Sequence, residues 1–74
     1  MDGLKTNTEF EIVLNGRKIS VGTLSLAGLI ERQQLGGRKV ATALNGHFVP
    51  EAQRATTALQ PGDKVEIVSA RQGG

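Results

Sequence analysis

The sequence predicts a two-layer α+β domain, with one main helix packed against a mixed sheet of four to five strands. Three observations predict it. Apolar and polar residues alternate in runs on both sides of the chain's middle, which is the pattern of half-buried strands. Between them the period changes, and Leu26, Leu29 and Ile30 stand at i, i+3 and i+4 on one helical face. A lone helix has to bury its apolar stripe against something, and the economical solution is a single sheet curled over it.

Each element follows in order. Residues 1–8 mix Asp, Gly, Lys, Thr and Asn without periodicity and read as a flexible leader. The domain is expected over residues 9–70. From Glu9 the chain alternates, with Phe10, Ile12 and Leu14 on one face and Glu9 and Glu11 on the other. Asn15-Gly16 comes next, the pair that best accepts the positive φ angles of a type I′ turn, and Ile19 with Val21 resume the alternation, so the first unit is a β-hairpin. Ser25 is positioned as a helix N-cap, with Leu24 and Leu29 placed to form a hydrophobic staple. The helix is expected to run from about Ser25 to Gln34 and to stop at Gly36-Gly37. Gly28 inside it costs about 1 kcal/mol relative to Ala, and a close approach of helix to sheet is the expected reason for it.

Lys39 to Leu44 reads as a third strand, with Val40, Thr42 and Leu44 opposed to Ala41 and Ala43. Asn45-Gly46 turns the chain into His47-Phe48-Val49, a short edge strand ended by Pro50. Glu51 to Leu59 is a polar connection with room for a helical turn. Pro61-Gly62 suits the middle of a type II turn, and Lys64 to Ser69 is the last strand, with Val65 and Ile67 on one side and Glu66 and Val68 on the other.

At 74 residues the chain is one small domain. Folding at this size hides only about 60% of the unfolded surface, which leaves little room for an enclosed active site beside the core. A carrier, adaptor or subunit is favoured over an enzyme. The absence of cysteine removes disulfides, thiolate metal sites and thiol nucleophiles together. Nine basic and seven acidic residues are scattered, and Phe10 and Phe48 are the only aromatics, which argues against nucleic-acid binding. The longest apolar run, Leu24 to Ile30, is too short and too interrupted for a membrane span, and no basic secretory leader is present, so a cytoplasmic protein is expected. His47 has no second His and no Cys to complete a metal site. The pairs Glu9 with Glu11 and Asp63 with Glu66 read as the wet face of strands rather than as acid/base pairs. Gly36-Gly37-Arg38-Lys39 lacks the strand-to-helix setting of a phosphate loop.

The chain ends Ala70-Arg71-Gln72-Gly73-Gly74. Two glycines carry no side-chain chemistry and enter clefts closed to bulkier residues, so any reactivity there belongs to the Gly74 carboxylate. Residues 71–74 are expected to form a flexible tail. Counted from Ala70, it could reach about 17 Å at 3.3 to 3.6 Å per residue. A second candidate contact is the outer sheet face, where Val13 and Val68 point away from the helix, with Ala41 and Ala43 as further members of an apolar partner surface.

With these elements placed, the sequence resembles the ThiS family of sulfur carriers in thiamin biosynthesis, which are ubiquitin-like β-grasp proteins. The residues that carry the likeness are the first strand with Asn15-Gly16, Leu29-Ile30 in the helix, Val40 to Gly46 ending in Leu-Asn-Gly, Val49-Pro50, Gln60-Pro61-Gly62-Asp63 before Val65-Glu66-Ile67-Val68, and the final Gly-Gly. The leader before the first strand is longer than in such carriers. The resemblance implies a carrier protein that is not itself a catalyst and binds no cofactor stably. An E1-like adenylyltransferase of ThiF type would use ATP to adenylate Gly74, and a persulfide donor would convert it to a thiocarboxylate. A thiazole synthase of ThiG type would then take the sulfur. Gly73, Gln72 and Arg71 would thread into the partner. Three other readings stay open: the related small subunit of molybdopterin synthase, a ubiquitin-like protein modifier, and a plain interaction module.

Overall fold

Two Asn-Gly turns set the geometry of the sheet. The computed structural model describes residues 9–35 and 37–69. In it Asn15 and Gly16 have φ of 49° and 84°, and Asn45 and Gly46 have 51° and 85°, the doubly left-handed pattern that matches the twist of an antiparallel hairpin. The first turn joins β1 (Phe10–Leu14) to β2 (Arg17–Val21), and the second joins β3 (Val40–Leu44) to β4 (His47–Val49). Between the hairpins lies α1 (Leu26–Arg32), and a 3-10 helix at Glu51–Thr56 leads to β5 (Lys64–Ser69).

The five strands form one mixed sheet in the order β2-β1-β5-β3-β4. β5 is therefore central, parallel to β1 and antiparallel to β3, while β2 and β4 are the edges. One face of the sheet supplies Ile12, Val21, Val49, Val65 and Ile67 to the core, α1 adds Leu26, Leu29 and Ile30, and Leu59 closes it. Thr42 is also buried on this face, and its hydroxyl is fully used: it donates to the Val49 carbonyl at 2.7 Å and accepts from the Arg54 Nε at 3.1 Å. A buried hydroxyl without such partners would be costly.

The helix begins as its sequence dictates. Ser25 Oγ accepts the Gly28 amide at 3.1 Å, the N-cap bond that satisfies one of the first turn's free donors. It ends earlier than the glycine pair suggests. The last helical residue is Arg32, and Gln34 takes the left-handed conformation at φ 63°. The Leu35 amide reaches back to the Ile30 carbonyl at 3.0 Å and the Gln34 amide to the Glu31 carbonyl at 2.9 Å, which is a Schellman stop. Leu35 packs on the core, and that contact fixes the left-handed residue of the stop at Gln34 even though glutamine pays about 1 to 2 kcal/mol for its backbone.

Two further expectations need correction. A Cβ at Gly28 would meet Leu24 Cδ1 at 3.2 Å and Leu24 Cβ at 3.4 Å, so the close neighbour is the residue before the cap and not the sheet. Asp63 is buried rather than part of a wet face. Its carboxylate accepts the Gln60 amide at 2.8 Å and the Asn45 side-chain amide at 3.0 Å, locking the Pro61-Gly62 turn to the second Asn-Gly turn. Glu9, Glu11 and Glu66 are exposed as expected.

Candidate functional site

β5 carries the chain toward its C-terminus, so what fixes β5 fixes where the terminal segment begins. Besides its two neighbouring strands, it is held by both turn asparagines. Asn15 Oδ1 accepts the Ile67 amide at 2.9 Å while its Nδ2 donates to the Ile67 carbonyl at 3.1 Å, so a side chain continues the β1 ladder beyond the last β1 residue. Asn45 does similar work at the first residue of the strand, accepting the Lys64 amide through Oδ1 at 2.9 Å while its backbone amide donates to the Lys64 carbonyl at 2.7 Å. The strand ends at Ser69, paired with Val40. Arg71, Gln72, Gly73 and Gly74, the residues expected to thread and react, lie outside the described residues.

Alternation along the strands decides the outer face. With Val65 and Ile67 inward, Val68 turns outward and is 58% exposed. It pairs with Ala41, and Ala43 pairs with Glu66 on one side and Phe48 on the other. Ala41, Ala43 and Val68 are thus neighbours, and Phe48, 68% exposed, joins them. Phe48 was not anticipated from the sequence, although the two-residue Asn45-Gly46 turn puts residue 48 opposite residue 43 and Val49 inward. Val13 does not belong to this cluster. It shares the outer face but sits between Lys18 and Lys64, four residues down β5 from Val68. At about 3.3 Å per residue that separation is roughly 13 Å. The arrangement is therefore an apolar patch of four residues toward the Ser69 end of the sheet, with charged Lys18, Lys64 and Glu66 below and beside it. An exposed apolar cluster of this kind is the usual mark of a protein contact surface.

A family model described as the ThiS family matches residues 8–74 of the chain. The chain belongs to the ThiS family. Its fold agrees with that of a crystal structure of a thiamine biosynthesis protein (ThiS) from Geobacter metallireducens, with a TM-score of 0.75 at 23% sequence identity. The match covers 88% of this chain and 100% of the other. No curated protein sequence matches significantly. The ubiquitin-like β-grasp expected from the resemblance is accordingly the fold of this ThiS-family chain: a five-stranded mixed sheet with one main helix on one face. No helix among the described residues is long and apolar enough to cross a membrane.

Proposed function

We propose that this ThiS-family chain is a sulfur carrier for the thiazole moiety of thiamin, acting as a protein co-substrate rather than as a catalyst. The observation that carries the reading is the reach of the family match, which includes the terminal Gly73-Gly74. A carboxylate is a poor electrophile because resonance stabilises it and oxide is a poor leaving group. An E1-like adenylyltransferase of ThiF type attaches AMP from ATP to Gly74 with loss of pyrophosphate. The terminal sulfur of a persulfide donor then attacks the acyl carbon as AMP departs, giving an acyl disulfide. A thiol attacks the donor sulfur of that S–S bond, leaving the donor in a disulfide and a thiocarboxylate on Gly74, which gives its sulfur to a thiazole synthase of ThiG type.

In this scheme the carrier supplies placement. Holding a reactant in position replaces part of the entropic barrier, while the groups that bind ATP and stabilise charge belong to the partner. The patch formed by Phe48, Ala43, Ala41 and Val68 docks the adenylyltransferase, and the terminal glycines present little bulk to its nucleotide site. Intact mass after incubation with ATP, the activating enzyme and a sulfur source tests the reading. The expected product is a free chain in which sulfur has replaced one terminal oxygen; an unchanged mass, or covalent conjugates to other proteins, would refute it. Removal of Gly74 should leave the melting temperature unchanged and abolish adenylation, and a loss of folding in that variant would instead make the tail a structural element.

A further inference from the structure

A groove of about 680 Å³ lies on the other side of the Ser69 end, between α1, the start of β3 and the 3-10 helix. Ala27, Ile30, Val40 and Ala55 give it apolar walls, and the cations Arg38, Lys39 and Arg54 line it. Glu31 and Glu51 also line it, so the charge of the lining is three minus two, a net of plus one.

Arg54 is the unusual member. It is half-buried, and one edge of its guanidinium is fixed: Nε donates to Thr42 Oγ1 at 3.1 Å and Nη2 to the Val40 carbonyl at 2.7 Å. Both acceptors are neutral. Among the described residues no carboxylate pairs with it, although Glu51 lies one turn earlier in the same 3-10 helix. The remaining donors, on Nη1 and the second Nη2 hydrogen, form an end-on fork of the shape that takes a carboxylate bidentately. A cation held half out of water without a counter-ion is an arrangement that an arriving anion relieves.

The groove's position supplies the occupant. Val40, whose carbonyl anchors Arg54, is the residue paired with Ser69, where β5 stops. A protein that draws the last five residues into its own site has at most about 17 Å of chain to work with, and so must lie against this end of the domain. We propose that the groove is a second docking site for the adenylyltransferase. It receives an acidic segment of that enzyme, with a carboxylate on the free fork of Arg54, steered by Arg38 and Lys39, and a neighbouring apolar side chain against Ala27 and Ala55. The inference rests on the carrier reading above.

Arg38 and Lys39 are exposed, so reversing both, Arg38→Glu with Lys39→Glu, tests the groove without touching the bonds of Arg54. The measurement is steady-state adenylation of the full chain by the activating enzyme, with thermal melting as a control. The expected result is an unchanged melting temperature, KM raised roughly tenfold with kcat retained, and a weaker dependence of KM on salt. Ala55→Trp, which fills the groove without changing charge, should also raise KM. If both variants are adenylated with the wild-type KM while the wild type reacts normally, the groove proposal fails and the carrier reading stands. If the wild type is not adenylated at all, both fail. A further outcome would also overturn the proposal: amide resonances of Ala27 and Ala55 that shift when Gly73 and Gly74 are deleted would assign the groove to the chain's own terminus.

Discussion

Asn15 serves two structures at once. Its backbone makes the left-handed corner of a hairpin, and its side chain pairs with Ile67 through both a donor and an acceptor. Asn15→Ala would lose both bonds and place an alanine at positive φ. At about 1 kcal/mol for each bond, plus about 1 to 2 kcal/mol for the left-handed backbone, a destabilisation of roughly 3 to 4 kcal/mol is expected. Urea denaturation measures it, and the Ile67 amide should exchange with solvent faster than in the wild type. Only the first of these roles was legible in the sequence. An Asn-Gly pair announces its turn locally, but its partner is 52 residues away, and no periodicity encodes that pairing. Asp63 was misplaced for the same reason. Beside Glu66 it reads as part of the wet face of a strand, because nothing local shows that Asn45, contributed by a different turn, closes over it.

Among the elements, helix α1 shows how much the sequence reveals about a start and how little about a stop. The N-cap was readable because Ser25 and the Gly28 amide lie three residues apart. Ser25→Ala is expected to cost about 1 kcal/mol in chemical denaturation. The stop depended on whether Leu35 or the glycines would govern, and tertiary packing of Leu35 decided it. Strand β4 makes the complementary point. Three residues are too few to show alternation, so Phe48 could be assigned to a face only through its register with β3. Because its ring is mostly in solvent, Phe48→Ser should change stability by less than about 0.5 kcal/mol. The same variant should raise the KM for adenylation, and an unchanged KM would remove the outer face from the docking surface.

At the scale of the whole molecule, strand order in the chain, turn positions and the two-layer packing were all present in the pattern of apolar residues. Spatial order was not, since alternation says which face a residue takes and nothing about which strand lies beside which. That order puts β5 between β1 and β3, flanked on both sides and tied by the Asn45 side chain at its first residue, Lys64, and by the Asn15 side chain at Ile67. The mechanical corollary concerns traction. Tension applied at the C-terminus runs along the middle of the sheet and loads the flanking bonds together in shear, whereas tension on β4 would peel an edge one bond at a time. In single-molecule pulling, attachment at residue 74 should yield at higher force than attachment at Val49, given a common anchor on β1. A partner can then haul firmly on the terminal segment without dismantling the body to which it is attached.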